Sequence, residues 1–292
     1  MIIPVYKPAA MTSHDVAAKL KRAFPVKPKI GHTGTLDPMV TGVLVILTGN
    51  DTKLSDLLPS DKTYKAVLKT GLATDTQDIT GETLEISESR PTYEEIKNAA
   101  ESFIGEYDQT PPMYSAVKKN GVPLYKLARK GETVEVASKK VKIYTISNTE
   151  MISEDEFAFE VSCSSGTYVR TLCADIGKKL GVPCCMKALE RIKANGFSKE
   201  ESIPLEHAIE LASEMKLESV SIPYEKVFSY LPRVEIPDNG LNYYLNGGHI
   251  ASTRCKADIF DSEMYAAYNS QGIFIGLAEF SEDNFFSKWK IQ

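Results

Sequence analysis

The sequence has little cysteine and arranges it in no framework. Five cysteines occur among 292 residues: Cys163, Cys173, Cys184, Cys185 and Cys255. The number is odd and no Cys-x-x-Cys is present, which argues against a disulfide scaffold. The adjacent Cys184 and Cys185 are expected to be reduced and packed. Histidine is scarcer still. His14, His32, His207 and His249 stand at no ligand spacing from one another or from cysteine, so no metal site is expected. No apolar run approaches the ~18 residues of a spanning helix. The longest, at 43–47, has the length of a strand. The opening Met1-Ile2-Ile3-Pro4 carries no charged segment, so no secretory signal and a soluble, cytoplasmic chain are expected. Several signatures are missing as well: the P-loop, G-x-G-x-x-G, H-E-x-x-H and G-x-S-x-G. Their absence sets aside the common nucleotide, dinucleotide, zinc-protease and serine-hydrolase chemistries.

What is present suits a folded chain. Hydrophobic residues make up 42 % and charged residues 25 %, enough for a sizeable core, so whole-chain disorder is excluded. The length suggests two domains, or a large one with a smaller one. The net charge of −5 conceals a segregation. Residues 1–36 hold six basic residues against one acidic, 111–145 eight against two, and 170–199 seven against two. Residues 74–106 hold nine acidic against two basic, and 200–225 seven against one. If the basic segments converge, the fold has a basic cleft and an acidic back. That field attracts a polyanion such as RNA.

The pattern predicts mixed elements without a steady βαβ alternation. Thr12 caps a helix whose Val16, Leu20 and Phe24 form one stripe. Strands are expected at 43–47 and 64–73. Thr92-Tyr93-Glu94-Glu95 is a capping box for a helix with Ile96, Ala99 and Phe103 inside. Residues 107–123, rich in proline and glycine, read as a long ordered loop. Alternation at 134–152 suggests a hairpin, and 157–163 alternates again. Thr167 opens a helix with Leu172, Ile176 and Leu180 on one face and Gly181 after it. Pro204 opens another, to about 215. Beyond 223–232 the pattern shifts to short β segments at 248–252, 264–268 and 272–280. The expected fold is α+β: a mixed, mainly antiparallel sheet flanked by helices, over residues 1–225, with a small β-rich domain over 226–292.

Three constellations carry chemistry. Gly31-His32-Thr33-Gly34-Thr35-Leu36-Asp37-Pro38 sets an aspartate on a stiff loop where glycines let a ligand approach the backbone. Asp37 is a candidate nucleophile, base or metal ligand, or a residue that only caps a turn. Ser164-Ser165-Gly166-Thr167-Tyr168-Val169-Arg170-Thr171 places an arginine that can pair bidentately with a carboxylate, and a tyrosine that can hydrogen-bond the same group. In Lys62-Thr63-Tyr64-Lys65-Ala66 an aromatic can stack on a base while lysines meet phosphate.

These segments, in this order, resemble the TruB family of tRNA pseudouridine-55 synthases, of bacterial type. The resemblance spans nearly the whole chain. It includes Lys7-Pro8 with Met11-Thr12-Ser13, the Asp37 loop running on to Thr41-Gly42-Val43-Leu44, and the Tyr64 segment. It continues through Gln109-Thr110-Pro111-Pro112-Met113-Tyr114-Ser115-Ala116-Val117-Lys118, Ser165 to Arg170, and Leu189-Glu190-Arg191. It implies a pseudouridine-synthase sheet with an insertion segment at about 107–145, and a PUA-like RNA-binding domain at 226–292. The implied activity is isomerisation of uridine 55 in the T-arm of tRNA, by base flipping.

The resemblance also implies roles. Asp37 is the nucleophile, acting by addition to sugar or base or by removing a sugar proton. Tyr64 stacks on the uracil and can serve as the final base. Arg170 pairs with Asp37. Tyr168 and Leu189 line the uracil pocket. His32 fills the space left by the flipped base. Lys7 and Lys65 belong to the substrate-binding set, Lys7 by meeting RNA backbone or by stiffening the pocket floor. No metal or cofactor is implied, nor an obligate protein partner or a membrane. A monomer acting on tRNA is expected. Departures from the family pattern fall at Thr35, Glu190 and Cys184-Cys185. A non-catalytic RNA-binding or RNA-folding protein, or a pseudouridine synthase for another RNA, is the alternative.

Overall fold

The computed structural model describes residues 1–132, 134–257 and 262–291. Its centre is a mixed sheet of ten strands among the described residues. The path runs Ile203–Pro204, Ile2–Lys7, Thr41–Thr48, Cys184–Ala194, Lys62–Thr70, Glu156–Cys163, Lys139–Ser153, Gly105–Gln109. Pairings along it are antiparallel except at Ile203–Pro204 with Ile2–Lys7 and at Thr41–Thr48 with Cys184–Ala194. The mainly antiparallel expectation is thus met. Short strands Ile30–His32 and Phe197–Ser198 pair onto its members.

The helices form where local chemistry says they should. Thr12 and Asp15 close a reciprocal capping box on helix Ser13–Ala23, and Thr92 and Glu95 do the same for Tyr93–Glu101. Each such cap is worth about 1 kcal/mol. Gly181, at φ 68°, ends helix Val169–Leu180 in the left-handed conformation. Its buried Leu172 and Ile176 pack, with Ile96 and Ala99, over Tyr64, Ala66, Leu68, Phe157 and Phe159. Burying each phenylalanine contributes about 1.5–3 kcal/mol. Helices Ser13–Ala23 and Leu205–Ser213 cover Ile3, Val5, Leu44 and Ile46.

A second sheet follows the order His249–Ala251, Asn284–Lys290, Phe274–Ser281, Met264–Tyr268, Arg233–Glu235, Lys256–Ala257. Its Phe274, Leu277 and Trp289 share a core with Ile2, Val43, Val45 and Leu47 of the large sheet. The two sheets are joined through apolar packing. Among the described residues no helix is long and apolar enough to cross a membrane.

One expectation fails. Residues 134–152 do not fold back on themselves. Lys139–Ser153 is one long strand, and the hairpin is made with Glu156–Cys163. The turn lies at the polar 153–156 segment, because Phe157, Phe159 and Val161 must face the core. The 107–123 loop also holds a small hairpin, Lys118–Lys119 with Val122–Pro123.

Candidate active site

Asp37 sits between strands Ile30–His32 and Thr41–Thr48. The Val40 N–H donates to the Asp37 carbonyl (3.1 Å), closing a turn with Pro38 in its second position. Proline presets that position of a turn. The Leu36 N–H donates to Ser13 Oγ (2.8 Å), tying the loop to a helix N-terminus. Lys7 lies beneath the loop. It has no solvent exposure, and its Nζ donates to the carbonyls of Met11 (2.5 Å), Pro8 (2.8 Å) and Pro38 (3.2 Å). Burial draws its pKa down to about 8. Lys7 therefore fastens the loop from below and does not reach a phosphate. Of its two expected roles, only stiffening the floor fits this geometry.

The Asp37 carboxylate faces Arg170, at 3.2 Å from Oδ2 and 3.5 Å from Oδ1. Its side chain keeps 37 % of its surface open, whereas that of Arg170 keeps 6 %. The guanidinium also donates to the Tyr114 carbonyl (2.6 Å) and stands 3.8 Å from Asp78. Burial pushes the Asp37 pKa up, and Asp78 adds to this. Arg170 and Lys7 oppose it. The carboxylate is thus more basic than a free aspartate, and Arg170 keeps it ionised. Asp78 is itself buried and accepts from Thr76 and Thr80.

Tyr168 is the N-cap of the Arg170 helix. Its ring lies under Arg170, 5.9 Å from the guanidinium carbon. The Gln109 side chain clamps its backbone, accepting from Tyr168 N–H (2.8 Å) and donating to its carbonyl (3.0 Å). The proline-rich 109–118 segment is thereby one wall of the site. Residues from the three basic segments meet here: Lys7, Tyr114 and Arg170.

Tyr64, on strand Lys62–Thr70, is 7 % exposed and shares its core with Leu36 and Val40 of the loop. Leu189 packs against the same cluster. A bulge brings it there. Cys184 and Met186 face this side, the register shifts between Met186 and Ala188, and Leu189 then pairs with Ala66 and Arg191 with Tyr64. One extra residue moves Leu189 and Arg191 onto the Tyr64 face. Burial raises the Tyr64 pKa above its ordinary value. The Arg191 guanidinium opposes that rise, through its charge and through a hydrogen bond to the Tyr64 side chain.

Lys65 lies elsewhere. It is exposed and follows Tyr64 on the strand, so it points to the opposite face, among Glu160 and Glu190. The lysine on the Tyr64 side is Lys62, whose Cε lies beside Gly34. Glu190 is absorbed by Tyr6, whose hydroxyl donates to it (2.7 Å), and by Lys199 at 2.6 Å. His32 ends its strand half-buried, and among the described residues its Nδ1 has no hydrogen-bond partner.

Asp37, Tyr64, Tyr168, Arg170 and Leu189 are thus brought into one neighbourhood. The sequence reading missed Asp78, hidden in the acidic 74–106 segment. It also quoted Arg191 without giving it a role.

The combination of an aspartate on a Gly-rich loop, a helix-borne arginine and a strand tyrosine has clear relatives. Residues 21–169 match the pattern described as "TruB family pseudouridylate synthase (N terminal domain)". The chain belongs to the TruB family. It is 42 % identical to "tRNA pseudouridine synthase B" of Clostridium perfringens strain 13, over 97 % of this chain and 96 % of that one. The protein of the same name from Oenococcus oeni is 44 % identical over 94 % of this chain and 95 % of its own. Among solved structures, one titled "Crystal Structure of a Cbf5-Nop10-Gar1 Complex" matches all of this chain and 83 % of its own, with a TM-score of 0.73 and 24 % identity. That likeness supports the shared fold. The four free cysteines of the TruB-type sheet and its helix, Cys163, Cys173, Cys184 and Cys185, are buried.

Gly42 supports the close approach of two strands in this site. Its φ is 114°, and a Cβ there would stand 2.2 Å from the Arg191 carbonyl oxygen. Gly42→Ala is expected to destabilise the fold by more than ~2 kcal/mol, lowering Tm by at least about 4 °C. Calorimetry of the variant beside its parent checks this.

Proposed function

We propose that the protein is a tRNA pseudouridine synthase acting on uridine 55 of the T-arm, as a monomer in the cytoplasm. The observation that carries this reading is the Asp37–Arg170 ion pair, 3.2 Å across, with Tyr64, Tyr168 and Leu189 packed about it. The sequence-wide similarity to proteins named tRNA pseudouridine synthase B supports the substrate class. A β-rich region at 226–292 serves as the PUA-like RNA-binding domain.

In the reaction the ribose C1′–N1 bond breaks, the uracil turns, and a C1′–C5 bond forms. The C5 hydrogen leaves as a proton and N1 takes one up. Atoms and oxidation state are conserved, so the chemistry calls for no redox partner and no triphosphate. Asp37, held ionised by Arg170, starts the step at the flipped nucleotide. Flipping costs a few kcal/mol. His32 offsets it by occupying the vacated space in the loop of the RNA. Tyr64 stacks on the uracil. The C5 proton then passes to a base of the site, either the Tyr64 oxygen or the carboxylate of Asp37 freed at the last step.

The test is tritium release from a transcript labelled at uridine C5. Release is expected from the natural T-arm and not from one carrying cytidine at position 55. Release from both transcripts moves the target to another uridine. No release from either, with the RNA still bound, leaves an RNA-binding protein without this activity.

A further inference from the structure

Arg191 is among the largest fully buried side chains of the protein, with 1 % of its surface exposed. A buried cation is normally held by a carboxylate. Among the described residues no carboxylate forms an ion pair with Arg191. Its guanidinium serves two backbone carbonyls and meets the Tyr64 side chain. Nε donates to the Val43 carbonyl at 2.7 Å, and one terminal nitrogen donates to the Gly34 carbonyl at 3.2 Å.

Those two carbonyls bracket the Asp37 loop. Gly34 stands three residues before Asp37, and Val43 six residues after it. Between them the loop is also held by the Asp37–Val40 turn, the Leu36 bond to Ser13, the Lys7 bond to Pro38, the Asp37–Arg170 ion pair and the burial of Leu36 and Val40. On the neighbouring strand Arg191 lies directly opposite Tyr64. The arginine is itself seated by backbone. Arg191 pairs with Gly42 in the parallel ladder, and no side chain fits between them. Burial lowers the pKa of Lys7, His32 and Lys62, and the nearby Arg191 cation lowers each of them further.

We propose that Arg191 is a positioning residue: its guanidinium fastens both ends of the Asp37 loop and holds them against Tyr64. This rests on Asp37 and Tyr64 being the catalytic pair. An arginine suits the task because its rigid fork presents several N–H groups in fixed directions, so one side chain can serve two carbonyls. A lysine has one nitrogen on a flexible stem and cannot span both. The side chain is sealed from solvent, so it acts on the loop and not on RNA.

The experiment uses the full chain as R191K and R191Q, with amide hydrogen exchange, transcript binding and single-turnover isomerisation read side by side. Exchange in peptides covering 34–43 is expected to quicken by about tenfold in both variants, with 264–290 as in the parent. Isomerisation is expected to slow by roughly 10–100-fold, because small misplacements of a reacting group are costly. The dissociation constant for the transcript stays within about threefold, as expected of a residue that does not touch the ligand. Full recovery of exchange and rate in R191K overturns the proposal, since charge alone would then suffice. Unchanged exchange at 34–43 overturns it too, as does binding that weakens in step with the rate. If R191Q fails to fold, R191K still decides the matter through the same three readings. If the parent itself isomerises nothing, the catalytic reading fails, while hydrogen exchange still reports whether the clamp exists.

Discussion

Asp37→Asn is expected to lower single-turnover isomerisation by at least ~10⁴-fold while leaving RNA affinity close to the parent's, the scale seen when a reacting side chain is removed. The amide has the shape of the carboxylate and lacks its charge and basicity. It can neither add to a nucleotide nor take its proton. The rest of the site keeps its anchors: Arg170 remains bound to the Tyr114 carbonyl, and Lys7 holds the loop through backbone carbonyls. Stability should not fall. Burial and Asp78 raise the Asp37 pKa above its unfolded value. The native state therefore holds the Asp37 proton more tightly than the unfolded state does, and above the unfolded pKa an ionised Asp37 works against folding. Removing the charge relieves that strain at neutral pH. Calorimetry should show a Tm equal to or above the parent's. Retained turnover would sink the nucleophile assignment. Lost turnover with a collapsed Tm would make Asp37 a structural residue instead.

Much of this site is legible because it depends on local rules. Thr12 with Asp15 and Thr92 with Glu95 announce two helix starts, and Gly181 announces a helix end. The Asp37-Pro38 turn and the glycines around it declare a stiff loop. Period-two alternation also contained the answer on the lysines. It places Lys62, and not Lys65, on the Tyr64 face of the sheet. Other features are set by pairing between strands and leave no local trace. The shift between Met186 and Ala188 decides that Leu189 and Arg191 face Tyr64, and no pattern within 184–194 reveals it. The turn at 153–156 wins over one within 134–152 because the 157–163 strand brings Phe157 and Phe159 into the core. For Lys7 the sequence leaves contact with RNA backbone and stiffening of the pocket floor both open, and its burial among three carbonyls shows only in the fold. Asp78 lies in an acidic stretch whose composition suggests a solvated back. A parallel bridge to Met186 carries it into the site.

Arg170→Ala is expected to slow isomerisation by roughly 10²–10³-fold at neutral pH, the size of losing one preorganised electrostatic partner, and to move the acidic limb of kcat/KM upward. In the parent, burial and Asp78 push the Asp37 pKa up, and Arg170 is the strongest opposing influence. Taking the arginine away leaves only Lys7 in opposition. The folded pKa of Asp37 rises further, and a larger share of the enzyme is protonated and inactive at a given pH. The deficit against the parent should then shrink as pH rises, because the variant recovers its carboxylate at higher pH. Stability follows the same sign. Raising the folded pKa above the unfolded one makes the native state the stronger proton binder. The variant should lose stability as pH climbs from the unfolded pKa to the folded one, and its Tm gap to the parent should narrow in acid. Arg170→Lys keeps a charge near Asp37 but cannot also meet Asp78 and the Tyr114 carbonyl, so its limb should fall between those of parent and alanine variant. A pH–rate profile of all three proteins decides it. A uniform loss of rate with an unmoved limb would mean that Arg170 acts on the RNA and not through Asp37.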